Sequence, residues 1–230
     1  MDLGRVDYEE AWELQRSLAA AVSQGAVPDT VLFLEHPPTI TLGRRTEEGE
    51  VHVPDGADVA IVETNRGGRS TYHGPGQLVC YPILDLKRHG KDVKKFCRDL
   101  EEAIIQTLAA FGLVGARIDG LTGVWVKPPP RKIASIGVHL SRWISTHGYA
   151  LNVDLDPEPF TSWITACGLE DAAFTTMARE LGETLAVDDV RPAAAAALEE
   201  VFDLTLDELP ADEGHGLWSQ PMHAKLAAKR

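Results

Sequence analysis

The sequence predicts an α+β fold. Residues 7–24 and 91–111 carry apolar side chains at three- and four-residue spacing, which is typical of amphipathic helices. Residues 114–153 form a succession of short apolar runs, which indicates strands. Helices and strands do not alternate strictly, so α+β is favoured over a parallel α/β sheet. We expect residues 1–210 to form a single domain and residues 211–230 to form a flexible tail.

The helices have recognisable ends. Asp7 is placed to cap the first helix, with Glu10 three residues later. The second helix is followed by Gly112, a residue that often ends helices. A third, alanine-rich helix is expected over 187–202, one helical turn over 157–163 and an irregular helix over 171–182. The apolar stripe of the second helix, which we expect to be core, consists of Val93, Phe96, Cys97, Leu100, Ile104, Leu108 and Phe111.

Strands are predicted on both sides of the second helix. Before it, apolar runs cover 30–36, 39–43, 59–62 and 78–86; after it, they cover 123–126, 132–140 and 144–153. In the run over 78–86, Cys80 is expected to be a packed core thiol, and Pro82 indicates an edge strand or a bulge. The last two runs flank a turn and predict a hairpin, which would bring residues 135–137 close to residues 148–150.

Composition excludes several functional classes. The net charge of −13 argues against nucleic acid as a partner, because binding phosphates requires a basic face. The sequence contains neither a run of about 18 apolar residues nor a visible signal peptide, so we expect neither membrane insertion nor export. The three cysteines, at positions 80, 97 and 167, show no CxxC spacing. They favour the reducing cytoplasm over a disulfide framework or a metal site.

Charge is distributed unevenly along the chain. Residues 154–213 contain sixteen acidic residues and two arginines, whereas residues 64–98 contain eight basic residues and two aspartates. The basic block has two interpretations: a solvated helix face with its adjoining loop, or a docking patch for an acidic partner protein. The candidates for such a patch are Arg44, Arg45, Arg66, Arg69 and the basic residues of 87–95.

The most unusual segment is the loop over residues 65–77. Glycines at 67, 68, 74 and 76 alternate with Arg66, Tyr72 and His73. Glycines allow a backbone to approach a ligand closely, and consecutive N–H groups can bind an anion. An ordinary hairpin loop is the alternative. The segment is not a Walker A loop, because no Gly-Lys-Ser/Thr follows and a strand rather than a helix comes next.

Lys132 and Cys167 are a candidate catalytic pair. Only the thiolate form of cysteine attacks carbonyl carbons well, and a neighbouring ammonium favours that form. Thirty-five positions separate the two residues, so the sequence does not show that they meet.

Several segments together resemble the octanoyltransferase family. In chain order these segments are Leu34–Pro38, Thr41–Arg45, Arg66–Gly68, Thr71–Val79, Gly123–Trp125, Lys132–Val138, His147–Asn152 and Ile164–Gly168. Each motif alone is weak, but their common order over residues 5–205 is specific. The chain departs from the family pattern at Ala166, where proline usually precedes the cysteine, so the rigidity of this loop is in doubt.

The resemblance implies a fold like that of biotin and lipoate protein ligases, with a larger mixed sheet, a smaller sheet and packed helices. It also implies a reaction. Octanoyl or lipoyl bound to acyl carrier protein would pass to a cysteine and then to a lysine on lipoyl domains of 2-oxoacid dehydrogenase E2 subunits or the glycine-cleavage H protein. No cofactor or metal is required, because a thioester is already activated.

The resemblance also assigns roles to residues. Cys167 would be the nucleophile, and Lys132 would favour its thiolate. The substrate-pocket wall would consist of Arg66, Gly67, Gly68, Arg69, Ser70, Thr71, Tyr72 and His73. The acyl slot would be lined by Ser135, Ile136, Gly137, Gly148, Tyr149 and Ala150. His73 has two interpretations, a second acid/base or a structural hydrogen-bonding residue, whereas His139 and His147 are expected to serve packing.

Two other functions compete with acyl transfer. An ATP-dependent lipoate or biotin ligase would also use the glycine-rich loop and Lys132, but an adenylate mechanism needs no nucleophilic thiol. A non-catalytic protein that binds carrier proteins would be insensitive to Cys167→Ala. The cysteine loop favours the transferase.

Overall fold

Two sheets of unequal size organise the computed structural model, which describes residues 1–165 and 173–207. Within these residues the larger sheet has seven strands, in the order β1-β2-β6-β10-β9-β8-β7. They span Asp2–Arg5 (β1), Thr30–Glu35 (β2), Gln77–Ile83 (β6), Ile144–Asn152 (β10), Arg131–Ser141 (β9), Leu121–Val126 (β8) and Ala116–Ile118 (β7). The smaller sheet has the order β4-β3-β5, with Ala60–Glu63 (β4), Thr39–Leu42 (β3) and Thr71–His73 (β5).

Both sheets are mixed. β1 pairs with β2 in parallel, as β3 does with β4, and the remaining pairs are antiparallel. The predicted α+β class, with a larger mixed sheet and a smaller one, is confirmed. The short strand β5 lies within the segment that was predicted to be loop. It forms because residues 71–73 pair with the edge of β3, a contact that depends on residues some thirty positions earlier.

The helices pack on both faces of the larger sheet. They span Tyr8–Ser23 (α1), Val93–Ala110 (α2), Glu158–Ser162 (α3), Met177–Leu181 (α4) and Val187–Phe202 (α5). α1 packs on one face of this sheet, against β6 and β10. α2 and α5 pack on the opposite face. None of the helices in the described part of the chain is long and apolar enough to cross a membrane.

The predicted irregular helix over 171–182 is only partly confirmed. Residues 171 and 172 lie outside the described part, and residues 173–176 are not helical. Instead, Phe174 forms an isolated bridge with Lys132, and the Thr175 amide donates to the Lys132 carbonyl over 3.0 Å. Pairing with a distant strand therefore replaces the first turn of the expected helix.

Two predictions about buried residues had different outcomes. Cys80 is fully buried in the main core, as expected. Cys97, also predicted to be core, is only half-buried and lines a cavity described below. It lines this cavity together with Gly120, Leu121 and Thr122, surroundings that the helical spacing alone did not reveal.

The edge-strand interpretation of Pro82 is wrong, because β6 lies between β2 and β10. The bulge interpretation is wrong as well, because the regular pairs between β6 and β10 and the isolated bridge between Asp85 and Ile144 keep one register on both sides of Pro82. The regular pairs between β6 and β10 run from Gln77 to Cys80 and stop before Pro82. In this register His147 of β10, whose φ is 57°, lies opposite Pro82. Pro82 thus occupies a place where the ladder requires no N–H donor.

The two helix N-caps differ, although each is an aspartate. The Asp92 carboxylate accepts hydrogen bonds from the amides of Lys94 (2.8 Å) and Lys95 (3.0 Å) at the start of α2. Asp7 occupies the corresponding position of α1, but its side chain makes no cap hydrogen bond, so its predicted capping role is wrong.

We therefore expect Asp92→Ala to lower the free energy of unfolding by about 1 kcal/mol, the usual cost of losing an N-cap. Asp7→Ala is the matched control and should cost less than half as much. Urea denaturation of both variants measures the difference, and equal losses would contradict it.

Candidate active site

A cavity of about 800 Å³ lies between the larger sheet and the glycine-rich loop. Residues 66–71 and His73 line one wall, and residues 135–137 with 148–150 line the other. The structure thus brings together two groups of residues that the sequence analysis singled out separately.

The second wall is the predicted hairpin. Ser135 pairs with Ala150, Ile136 with Tyr149 and Gly137 with Gly148 on β9 and β10. A β-carbon on Gly148 would overlap the Cys80 carbonyl oxygen of the neighbouring strand. A β-carbon on Gly137 would lie 2.9 Å from the Gly67 carbonyl oxygen. Glycine is required at both positions because backbone passes directly over them.

The loop is attached to this hairpin through its backbone. The Gly67 amide donates to the Val138 carbonyl over 2.9 Å. The loop also holds the segment after β3, since the amides of Arg44 and Arg45 donate to the carbonyls of Arg66 and Gly68, each over 3.0 Å. The small sheet is therefore joined to the large sheet at the cavity.

Arg66 is buried, with 6% of its surface exposed. Its guanidinium donates to the Thr41 hydroxyl and carbonyl and to the Gly67 carbonyl, over 2.6 to 3.1 Å. These bonds fasten β3 to the loop. Arg66 lines the cavity as expected, but several of its donors are directed towards protein carbonyl and hydroxyl oxygens.

Arg69 and Ser70 share one carboxylate. Arg69 forms ion pairs with Glu47 and Glu50, and the Ser70 hydroxyl donates to Glu50 over 3.1 Å. Burial raises the pKa of Glu50, but hydrogen bonds from Arg69 and Ser70 outweigh it, so that the pKa is lowered overall. Glu50 thus remains ionised and fixes this part of the loop.

Tyr72 and His73 differ from the rest of the loop. The Tyr72 ring packs against Phe160 and Trp163, and Tyr72 does not line the cavity. The His73 Nδ1–H donates to Gln77 Oε1 over 2.8 Å, and burial, with the charges of His36 and Arg66, lowers the pKa of His73 well below its usual value. A neutral, hydrogen-bonded His73 favours its structural interpretation.

Lys132 lies on β9 and lines the cavity with only 3% of its surface exposed. Its ammonium nitrogen is 5.1 Å from the centroid of the Trp125 ring, a cation–π distance. Removing an ammonium from water costs free energy unless nearby groups stabilise the charge. The buried position of Lys132 therefore favours an anion beside its ammonium group.

Cys167 lies outside the described residues, but both ends of its segment are anchored. The Thr165 amide donates to the Glu50 carbonyl over 2.8 Å. At the other end, the Lys132 amide donates to the Ala173 carbonyl over 2.8 Å. Because Ala173 comes six positions after Cys167, the chain returns to the backbone of Lys132 shortly after the cysteine.

Beside the loop lies an aromatic and histidine cluster that the sequence analysis missed. Its members Tyr8, Tyr81 and His147 line the cavity, and His36 lies behind them. Tyr8 lies in the amphipathic helix predicted over 7–24, and Tyr81 lies in the apolar run over 78–86; both patterns predicted only core packing. No sequence pattern connects residues so distant in the chain. Among the residues that the structure describes, no histidines, cysteines or carboxylates are grouped so as to hold a metal ion.

Hydrogen bonds define the protonation of these histidines. The His36 Nδ1–H donates to the Val6 carbonyl over 2.7 Å, and its Nε2 accepts from the Tyr81 hydroxyl over 2.8 Å. His147 is bonded to Tyr8 (3.2 Å) and Asn65 (2.8 Å). Burial lowers the pKa of His36 to about 4 and that of His147 to about 3. Both are neutral near neutral pH, so they position their neighbours and are poor proton donors.

The sequence of the chain matches a known class of catalytic domains. The family model described as "Lipoyl protein ligase A/B catalytic domain" matches residues 7–199. The chain is 48% identical over 207 residues to a protein from Chloroflexus aurantiacus named octanoyltransferase, a match covering 88% of this chain and 92% of that one. The chain therefore belongs to the octanoyltransferase family, and the resemblance drawn from its motifs is confirmed.

Solved structures confirm the predicted biotin and lipoate ligase-like fold. One belongs to an archaeal lipoylation system of Thermoplasma acidophilum, described as a bi-partite lipoate protein ligase and its E2 lipoyl domain. It superposes with a TM-score of 0.70 at 17% identity, covering 100% of this chain and 91% of that one. A biotin protein ligase from Aquifex aeolicus has a TM-score of 0.56 at 15% identity, covering 88% and 69%.

The buried neutral histidines predict acid sensitivity. An unfolded histidine binds a proton below pH 6.5, whereas folded His36 does so only near pH 4. Its contribution to stability is therefore complete above pH 6.5 and is lost as the pH falls towards 4. Between these values each such histidine adds a slope of up to about 1.4 kcal/mol per pH unit.

We expect His36→Gln to flatten the pH dependence of the free energy of unfolding, measured by urea denaturation, by about half a proton at pH 6.5 and by close to one proton at pH 5.0. The exposed His52→Gln is the matched control and should retain the wild-type slope. An unchanged slope in His36→Gln would mean that His36 is protonated in the folded protein.

Proposed function

We propose that the protein is an acyltransferase that moves an octanoyl or lipoyl group from an acyl carrier protein thioester to a lysine of a lipoyl domain through an acyl-thioester on Cys167. The similarity to octanoyltransferases over 88% of the chain is the observation that carries the proposal. The buried ammonium of Lys132 on the cavity supports the chemistry.

In the first half-reaction, the Cys167 thiolate attacks the carbonyl carbon of the donor thioester. The bond to the donor sulfur breaks, and the carrier thiolate leaves and takes up a proton. Lys132 would favour the attacking thiolate electrostatically. Its backbone contact with Ala173 supports this pairing, because it brings the end of the cysteine segment to Lys132.

In the second half-reaction, the lysine amine of the acceptor attacks the Cys167 thioester. An amide forms, the carbon–sulfur bond breaks and the thiolate is restored beside the Lys132 ammonium, while the amine proton passes to solvent. The acyl chain would lie along Ser135–Gly137 and Gly148–Ala150. Backbone N–H groups along this slot would stabilise the negative charge that develops on the thioester oxygen.

The specific partners are part of the proposal. The donor would be octanoyl-acyl carrier protein, and the acceptors would be lipoyl domains of 2-oxoacid dehydrogenase E2 subunits and the glycine-cleavage H protein. The Thermoplasma system, in which a lipoate protein ligase has an E2 lipoyl domain as its partner, supports an acceptor of this kind.

An ATP-dependent ligase on the same fold is the alternative. The two solved ligases described above are at most 17% identical to this chain, so their similarity concerns the fold alone. The transferase has the stronger support, because the relative that is nearly half identical is an octanoyltransferase.

Intact-mass spectrometry tests the proposal. Incubation with octanoyl-acyl carrier protein, without ATP, should give an octanoyl adduct that hydroxylamine removes and that Cys167→Ser lacks. Cys97→Ser, which replaces a cysteine that lines the cavity, should still form the adduct. If no adduct forms and a lipoyl domain is modified only after addition of octanoate and ATP, the ligase alternative is correct.

The pairing of Lys132 with Cys167 makes a separate prediction. Lys132→Met should move the pH profile of Cys167 alkylation by iodoacetamide to higher pH, because the ammonium no longer favours the thiolate. A displacement of one pH unit corresponds to a tenfold smaller thiolate fraction at neutral pH. The exposed Lys127→Met is the control, and peptide mass analysis assigns the alkylated cysteine. Identical profiles for Lys132→Met and wild type would exclude the pairing.

A further inference from the structure

The structure separates the basic residues that the sequence analysis grouped into one docking patch. Arg66 is buried, Arg69 is paired with Glu47 and Glu50, and Lys95 is paired with Asp99. Arg44 and Arg45 are exposed, and neither has a carboxylate within ion-pair distance in the described part of the chain. In a chain with a net charge of −13, two adjacent unpaired arginines indicate a local requirement for positive charge.

These two arginines lie at the rim of the cavity. Both line it, and both are held by backbone hydrogen bonds to the loop that forms its wall. Arg44 is also near His139 on β9. Burial of His139 lowers the pKa of this histidine, and the charge of Arg44 lowers it further. The basic residues of 87–95 have no such position, because none of them lines the cavity.

The rim is far from the catalytic lysine. His139, which lies near Arg44, marks the position of the rim along β9. Lys132 is seven residues away from His139 on this strand, which corresponds to about 23 Å at the usual rise per residue. An acceptor lysine has only a four-carbon stem, so its domain must bind next to the reacting atoms. A carrier protein presents its thioester on a long phosphopantetheine arm, so its surface contacts the enzyme at a distance from them.

We propose that Arg44 and Arg45 form the docking site for the acidic surface of the acyl carrier protein, while the arm extends through the cavity towards Lys132. This inference depends on the proposed function, because it assigns a surface to the proposed donor. Opposite charges at an interface rim mainly raise the association rate, and this effect is screened by salt.

The test compares two variants with the same change in charge, Arg44→Glu/Arg45→Glu and Lys94→Glu/Lys95→Glu. The acylation rate of Cys167 is measured with octanoyl-acyl carrier protein and with uncharged octanoyl-pantetheine, at low and high salt. For the arginine variant, the ratio of the carrier-protein rate to the pantetheine rate should fall at least tenfold, and the salt dependence of the carrier-protein rate should flatten. The lysine variant should retain the wild-type ratio.

Each outcome has one meaning. An equal loss in both variants would show a general effect of charge and would overturn the docking site. A parallel loss with both donors in the arginine variant would place the arginines in the reaction itself and would also overturn it. If wild-type protein is acylated by neither donor, the proposed function fails, and this result is distinct from a failure of the docking site.

Discussion

The contact of the glycine-rich loop with the β9–β10 hairpin is the constraint on which the rest of the site depends. The backbone hydrogen bond from Gly67 to Val138 joins the two sheets at the cavity. Gly137 permits this contact, because a side chain there would meet the Gly67 carbonyl oxygen. The loop in turn holds Arg44 and Arg45 and, through Glu50, one end of the cysteine segment. The position of the small sheet, the cavity and its rim all follow from this one close approach.

Charge and burial divide the cavity into regions with different chemistry. One region contains a buried ammonium, Lys132, which favours a nearby anion. A second contains neutral histidines, because burial and the charge of Arg66 disfavour their protonation. A third, at the rim, contains exposed arginines. A thioester substrate would meet these regions in the order rim, slot and lysine, so that the electrostatics of the cavity agree with the order of events in the proposed reaction.

Much of the fold was predictable because it depends on local spacing. The alanine-rich composition of residues 187–202 predicted α5 with its observed bounds, and the turn between the last two strands predicted the hairpin and the residues that face each other across it. The failures share a cause. β5, the non-helical residues 173–176 and the central position of Pro82 all depend on pairing with strands that are distant in sequence, which local patterns do not encode.

The sequence by itself determined the family, the class of fold and most of the residues around the cavity, because these are carried by motifs whose residue types and order are specific. Only the tertiary structure decided how those residues act. It showed that Tyr72 faces the core, that Arg66 and Arg69 are occupied by protein partners, and that Tyr8, Tyr81 and His147 belong to the cavity. The physical reason is that burial, ion pairing and protonation are properties of neighbours in space, and a linear pattern records only neighbours along the chain.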